Sequence, residues 1–131
     1  EVFVIGHKIQ LEQVFLNLIT NARDAIQTKS QRRKKITIEC LENLESIEIK
    51  IYDTGGGIPE EIIDQIFHPF FTTKEISKGT GLGLSISYGI ISDMGGSMEC
   101  CNWAEGACFS LILPKAKIDG SLPRIKSGDA K

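Results

Sequence analysis

The strongest constraint on the fold is a strand-like run that ends in a carboxylate and three glycines. Ile47, Ile49 and Ile51 alternate with polar or aromatic residues, which is the period-two pattern of a half-buried strand. Successive strand side chains point to opposite faces, so Asp53 falls on the apolar face, immediately before the glycines at 55–57. Two interpretations are open from this stretch alone. In the first, Asp53 lies in water at a simple Asp-Gly turn. In the second, Asp53 is buried and needs a hydrogen-bond donor.

The composition is that of one soluble globular domain. A chain of 131 residues can build one core but not two, and a net charge of −2 gives no electrostatic reason to expect nucleic acid or an acidic membrane. No apolar run approaches the ~20 residues that span a bilayer. Because the first residues resemble folded interior, we expect a fragment of a longer protein. The cysteines show no Cys-x-x-Cys spacing; they are Cys40, Cys100, Cys101 and Cys108. We therefore expect neither a metal site nor a disulfide framework, and a reducing cytosolic setting fits.

The periodicity predicts an α/β two-layer sandwich, with a mainly antiparallel sheet and helices on one face. In order, the predicted elements are an edge strand at 1–5, a helix at 8–28, a hairpin at 36–53, a short helix at 59–67, a loop at 68–78, a well-buried helix ending near 94 and a second hairpin at 97–113. The solvent-exposed face of the sheet is expected to carry Thr37, Glu39, Glu48, Lys50 and Tyr52.

A line of polar residues follows one flank of the first predicted helix. Gln13, Asn17, Asn21 and Asp24 lie at steps of three or four, although Asn is a poor helix former. Two interpretations are open. The asparagines form a ladder that caps a neighbouring loop, or their carbonyl oxygens hold a hard cation such as Mg²⁺.

Glycines also precede the second long helix, where exposed N–H groups and the helix dipole would attract an anion. Their spacing fits neither a dinucleotide fingerprint, since Leu84 stands where glycine is required, nor a Walker motif. The preceding stretch at 68–74, with paired aromatics, hydroxyls and a lysine, is typical of a loop that folds over a ligand. A loop with its own hydrophobic anchor is the alternative.

Four motifs in this order resemble the boxes of the catalytic, ATP-binding domain of sensor histidine kinases. They are NLITNA at 17–22, DTGGGIP at 53–59, FHPFF at 67–71 and GTGLGL at 79–84, similar to the N, first glycine, F and second glycine boxes. The resemblance covers roughly residues 6 to 114. It implies the Bergerat (GHKL) ATP-binding fold, with a catalytic domain at 1–114 and a polar C-terminal tail or linker at 115–131.

The resemblance implies that the cofactors are ATP and Mg²⁺. Asp53 would accept from the adenine amino group, and Gly57 would let the base lie flat. Asn21, supported by Asn17, would hold Mg²⁺, while the loop would cover the nucleotide and the second glycine stretch would cradle its phosphates. The implied ATP-binding residues are Asn17, Asn21, Asp53, Gly55, Gly57, Ile58, Phe70, Thr72, Thr73, Lys74, Gly79, Thr80, Gly81, Leu82, Gly83 and Leu84.

Three positions depart from the family pattern. His7 stands where family members often have Asp, which affects the entry to the helix. Asp24 stands where many members have Lys or Arg, so this position is not expected to bind phosphate. Ala107 stands where the closing hairpin usually carries Thr, and a hydroxyl that orders water beside Asp53 is therefore missing.

The implied activity is that of a protein-histidine kinase, which donates the ATP γ-phosphoryl to a His on a separate dimerisation and phosphoacceptor domain. A response regulator would act downstream. We expect no nucleic acid, no membrane contact by this domain and a cytoplasmic location, whether or not the parent protein is an inner-membrane sensor. An anti-sigma-factor-type serine kinase and a degenerate protein-binding module are the alternatives.

The residue types favour phosphoryl transfer over hydrolysis. Related ATPases of the gyrase, mismatch-repair and Hsp90 types carry a Glu four residues before the metal-binding Asn, where this chain has Asn17, and an amide cannot act as a base. His7 and His68 do not lie in a His-Glu-x-x-x-Pro setting. No catalytic residue is expected in this fragment, because the acceptor His and base would lie on the absent domain, and we expect no autophosphorylation by the chain alone.

Overall fold

The two predicted hairpins form one antiparallel sheet. A computed structural model describes residues 2–28, 33–69 and 83–116. Its elements are α1 (Lys8–Thr28), β1 (Ile36–Glu42), β2 (Ser46–Asp53), a 3₁₀ helix (Ile63–Gln65), α2 (Gly83–Asp93), β3 (Ser97–Trp103) and β4 (Gly106–Pro114). The strand order is β1-β2-β4-β3, and each neighbouring pair is antiparallel.

The core lies between the two central strands and the two helices. Ile51 is paired with Phe109 and Ile49 with Leu111, so that both strands turn an apolar row toward the same face. On this face of the sheet, α1 buries Val14 and Leu18 against the apolar row, and α2 buries Ile91. Each buried aliphatic side chain of this size contributes about 1.5–3 kcal/mol to folding. The other face carries the predicted polar residues Thr37 and Glu39, which are exposed, and Glu48, Lys50 and Tyr52, which are partly buried. The two-layer arrangement is therefore as predicted.

Two predicted elements differ in the structure. No strand forms at 2–5; instead, the carbonyl of Phe3 accepts a hydrogen bond from the N–H of Ala116, at 2.6 Å. The segment at 59–67 is not an α-helix, because its backbone bonds run over three residues, as from Ile62 N–H to the carbonyl of Pro59. So short a helix is marginal by itself, and the packing of Ile66 and Phe67 on the core decides its shape.

The second helix is less buried than its composition predicts. Its fully buried residues are Ser87 and Ile91, whereas Ile86 and Tyr88 are 48% and 43% exposed. The reason is that a two-layer molecule covers only one side of each helix. Among the described residues, no helix is long and apolar enough to cross a bilayer.

Candidate functional site

The carboxylate of Asp53 is at the centre of the site. It lies at the end of β2 and is only 3% exposed, which confirms its predicted burial and excludes the simple turn in water. Its Oδ1 accepts hydrogen bonds from the N–H groups of Gly55 at 2.8 Å and Ala107 at 3.2 Å. Because both bonds fall on Oδ1, Oδ2 has no donor within the described ranges. Among the described groups, the protein fixes one oxygen of this carboxylate and leaves the other able to accept a further hydrogen bond.

The main chain around Asp53 is packed too closely for side chains at two glycines. A Cβ on Gly55 would lie 2.6 Å from the Cβ of Ala25 and 2.8 Å from its carbonyl carbon. The lack of a side chain at Gly55 therefore lets the loop after β2 lie against α1. A Cβ on Gly106 would collide with the backbone oxygen of Asp53 and lie 2.5 Å from Oδ1. The sequence singled out Gly55 but not Gly106, which lies at the start of β4.

The rest of the first glycine stretch is held by a side chain from β3. Gly56 and Gly57 have φ values of +89° and +88°, a region that L side chains rarely adopt. Next to them, Asn102 Oδ1 accepts from the N–H of Ile58 at 2.8 Å, and its Nδ2 donates to the Ile58 carbonyl at 2.7 Å. This two-way contact fixes the backbone at Ile58. Sequence reasoning missed Asn102, although an Asn within a strand is a recognisable exception.

Trp103, at the end of β3, also holds the site and was missed. Its Nε1–H donates to the backbone carbonyl of Asp53 at 2.8 Å, and its ring meets that of Tyr52 edge-on, with centroids 5.5 Å apart. The strand pair that closes the sheet therefore positions Asp53 through both a side chain and a main-chain N–H.

Asn17 connects the two helices. Its Nδ2 donates to the carbonyl of Gly83 at 3.1 Å and to Oγ of the fully buried Ser87 at 2.9 Å, while its Oδ1 accepts from Gln13 Nε2 at 3.1 Å. The predicted polar flank of α1 thus contacts α2 through Asn17. Asn21 lies one turn farther along the same flank and is partly buried.

The structure brings together part of the predicted site. Asn17 bonds to Gly83 where α1 contacts α2, and Leu84 packs against the core. Asp53, Gly55, Gly57 and Ile58 lie at or just after the end of β2. The predicted residues that lie outside the described ranges are Phe70, Thr72, Thr73, Lys74, Gly79, Thr80, Gly81 and Leu82. Within those ranges no group of three or more His, Cys, Asp or Glu side chains could hold a metal ion.

Comparison with known families decides the class of this site. Residues 6–117 match the model of the family described as histidine kinase-, DNA gyrase B- and HSP90-like ATPase. This chain belongs to that family. Its sheet and helices are the GHKL ATP-binding fold, as predicted.

The curated relatives of this GHKL chain are sensor kinases. It is 44% identical over 116 residues to the two-component sensor PprA of Pseudomonas aeruginosa, covering 86% of this chain and 13% of PprA. It is 41% identical over 118 residues to the sensor kinase CckA of Brucella abortus, covering 81% of this chain and 12% of CckA. The chain thus spans about an eighth of these relatives.

Solved structures show the same domain. The nucleotide-free catalytic domain of the histidine kinase ThkA matches with a TM-score of 0.73 at 37% identity, covering 86% of this chain and 71% of that one. ThkA in complex with the response regulator protein TrrA matches with a TM-score of 0.66 at 34% identity, covering 81% and 28%. The predicted resemblance to sensor histidine kinases is therefore confirmed.

Proposed function

We propose that this domain binds MgATP and is the catalytic domain of a sensor histidine kinase, donating the γ-phosphoryl to a His on a separate dimerisation and phosphoacceptor domain. ATP supplies the transferable group, and the chain holds and orients it. The observation that carries the proposal is the buried Asp53 carboxylate, with Oδ1 occupied by two backbone N–H groups and Oδ2 without a donor among the described residues.

The geometry around Asp53 supports adenine as the base. An amino group can donate to Oδ2, whereas guanine would present a carbonyl oxygen to the same carboxylate. A buried polar mismatch of that kind costs about 1–3 kcal/mol, or more where a charge is involved. The positive-φ backbone at Gly57 and the fixed backbone at Ile58 would form a flat wall beside the base.

The two asparagines of α1 fit a magnesium ion only together with phosphate. Mg²⁺ usually keeps several waters and takes one or two protein oxygens plus substrate phosphates. Asn21 would supply the protein oxygen. Asn17 donates to Gly83 and Ser87, and this ties the start of α2 to α1 one helical turn before Asn21. Asn21→Ala should therefore reduce chiefly the Mg²⁺-dependent part of ATP affinity, measured by calorimetry with and without Mg²⁺.

Transfer to an external acceptor is favoured over autonomous hydrolysis. Asn17 occupies the position of the water-activating Glu of the related ATPases, and its amide cannot accept a proton and already bonds to three partners. The named relatives are sensor kinases, which supports a histidine kinase rather than a serine kinase or a degenerate module. Since ThkA has been solved with a response regulator, we propose that the whole protein also acts with one.

Calorimetry with ATP, ADP and GTP tests the proposal. ATP should bind in the presence of Mg²⁺, and GTP should bind at least about tenfold more weakly. In Asp53→Asn, the amide oxygen would keep both backbone N–H groups, which turns the NH₂ toward the adenine amino group. Losing a charged hydrogen bond of about 1.5–3 kcal/mol should weaken ATP binding roughly 10- to 100-fold.

The matched control is Asp64→Asn, which removes an exposed carboxylate from the 3₁₀ helix and should leave ATP affinity unchanged. Thermal melts of both variants establish that the fold is retained. If Asp53→Asn binds ATP like the parent, Asp53 has a structural role only and the nucleotide site lies elsewhere.

A further inference from the structure

Two cysteines face each other across the closing hairpin. Cys101 on β3 and Cys108 on β4 are direct register partners, and such residues share one face of the sheet with Cβ atoms about 4.5–5.5 Å apart. Cys100 pairs with Phe109 on the opposite, helix-covered face, and Cys40 lies on β1. All four are free thiols.

The backbone geometry permits a bond between these two sulfurs. The N–H of Ala107 points toward β2, where it meets Asp53. Because strand N–H groups alternate in direction, that of Cys108 points toward β3, so Cys101 and Cys108 form a hydrogen-bonded pair with Cα atoms about 5.5 Å apart. Disulfides span Cα distances of about 4.4–6.8 Å.

The same geometry would make the bond easily reduced. A disulfide requires Cβ atoms about 3.5–4.5 Å apart, which is closer than a hydrogen-bonded pair normally holds them. Forming the bond therefore twists β3 against β4 and strains the disulfide. Strained disulfides are the labile and regulatory ones.

The two thiols differ in access. Cys101 is exposed, whereas Cys108 is only 3% exposed. Burial raises the pKa of the Cys108 thiol, the Ser110 hydroxyl acts in the opposite direction, and the neighbouring Cys101 raises it again. An oxidant in solution therefore meets Cys101 first, and Cys108 needs only to reach the sulfur of its neighbour.

We propose that Cys101 and Cys108 form a reversible disulfide, with a low-molecular-weight disulfide such as oxidised glutathione as the oxidant. The Cys101 thiolate attacks one glutathione sulfur, which breaks the glutathione S–S bond and releases one glutathione. The Cys108 thiolate then attacks Cys101 Sγ and displaces the second. One protein S–S bond forms, the protein loses two electrons and two protons, and two glutathione thiols are produced.

The position of the pair links it to the nucleotide site, an inference that rests on the proposed function. The adjoining register pair is Asn102 with Ala107, whose contacts hold Ile58 and Asp53. These are direct hydrogen bonds of 2.7–3.2 Å, so a small displacement of either residue would weaken them. Oxidation would displace both residues and weaken ATP binding.

The test uses the whole chain in glutathione buffers of increasing oxidised fraction. Digestion after glutamate cleaves at Glu105, between the two cysteines, so an intramolecular bond leaves two peptides joined until they are reduced. We expect this link together with ATP binding at least fivefold weaker by calorimetry, and dithiothreitol should reverse both. The proposal is overturned if Cys101 remains in a mixed disulfide with glutathione, or if the only protein disulfides that form join separate chains.

Variants separate this pair from the other thiols. Cys101→Ser should form no link and keep its ATP affinity in oxidised buffer, whereas Cys40→Ser and Cys100→Ser should behave like the parent. A link that survives in Cys101→Ser contradicts the pairing, and a link without loss of ATP affinity contradicts the coupling. If the reduced chain binds no ATP, the proposed function fails, but peptide mapping still decides whether the disulfide forms.

Discussion

At the residue scale, Asp53 is oriented by groups that come from two separate parts of the chain. The Gly55 N–H belongs to the loop after β2, whereas the Ala107 N–H and the Trp103 indole belong to the closing hairpin. A carboxylate held in this way does not need to reorient when a ligand arrives. Ala107 offers no side-chain hydroxyl, yet its backbone N–H contributes one of the two bonds to Oδ1.

Asn102→Ala tests whether the backbone at Ile58 must be held from β3. The substitution removes one hydrogen bond to the N–H of Ile58 and one to its carbonyl. Both are at an exposed position where water can replace them, so we expect a loss of only about 1 kcal/mol in urea unfolding. ATP affinity should fall several-fold, because the wall beside the base loosens. Asn43→Ala in the β1–β2 turn is the control, and equal losses of ATP affinity in both variants would contradict the role of Asn102.

Gly55→Ala tests the close approach between the first glycine stretch and α1. The new methyl would lie 2.6 Å from Ala25 Cβ and 2.8 Å from its backbone, so one element must shift, at a cost of about 1–3 kcal/mol or more. Gly89→Ala in α2 is the contrasting change. Among the described residues, nothing outside the helix's own backbone lies within 4 Å of its Cβ, so the change should stabilise by about 0.5–1 kcal/mol through helix propensity. Urea unfolding measures both, and a neutral Gly55→Ala would show that the contact is not tight.

The residues of the site differ in how far the sequence could identify them. Asp53 could be placed on the buried face because alternation is a local signal. Trp103 and Asn102 could not be placed, because their partners lie 50 and 44 positions away and depend on which strands become neighbours. The same limit applies to Gly106, whose small size matters only once β4 lies beside β2.

At the element scale, α1 and α2 are joined by the Asn17 side chain. An Asn within an amphipathic helix was a visible exception in the sequence, and its two interpretations were a capping ladder and a cation site. The observed bonds to Gly83 and Ser87 hold the first turn of α2, directly after the second glycine stretch. Asn17 therefore has a clear structural role beside the proposed support of Mg²⁺.

Asn17→Ala should loosen the second helix. The change leaves the hydroxyl of the fully buried Ser87 without its donor, and a lost partner of that kind costs about 1–3 kcal/mol. Urea unfolding should show this loss, and amide hydrogen exchange should rise in the first turn of α2. Gln13→Ala removes the exposed neighbour on the same flank and should change stability by less than about 0.5 kcal/mol. A similar loss in both variants would contradict the bridging role.

Long periodic elements were predictable, and the short ones were not. α1 and both hairpins occur where hydrophobic periodicity predicted them, because each pattern repeats over many residues. The segment at 59–67 contains a 3₁₀ helix only at Ile63–Gln65, since packing rather than local preference decides so short a stretch. The apolar composition of α2 predicted a well-buried helix, but a second layer covers only one side of it.

At the scale of the whole molecule, the proposed nucleotide site is assembled from elements that lie far apart along the chain. α1 carries the asparagines, β2 carries Asp53, and the closing hairpin orients it. The two central strands place these parts in one rigid frame, because β2 pairs directly with β4. The proposed disulfide would act at this level, since a small twist of β3 against β4 reaches the site through the strand pairing.

The chain alone should bind ATP without phosphorylating itself. Its histidines, His7 before α1 and His68 after the 3₁₀ helix, are both exposed, and neither follows the sequence pattern of a phosphoacceptor. A phosphoryl acceptor must be held in line with the γ-phosphoryl, and an exposed histidine that is not positioned gains none of that advantage. We therefore expect no phosphohistidine on this chain after incubation with labelled ATP, but labelling of the proposed dimerisation and phosphoacceptor domain when it is supplied separately. Acid-labile label on the chain itself would contradict this, and His7→Gln and His68→Gln would then identify the acceptor.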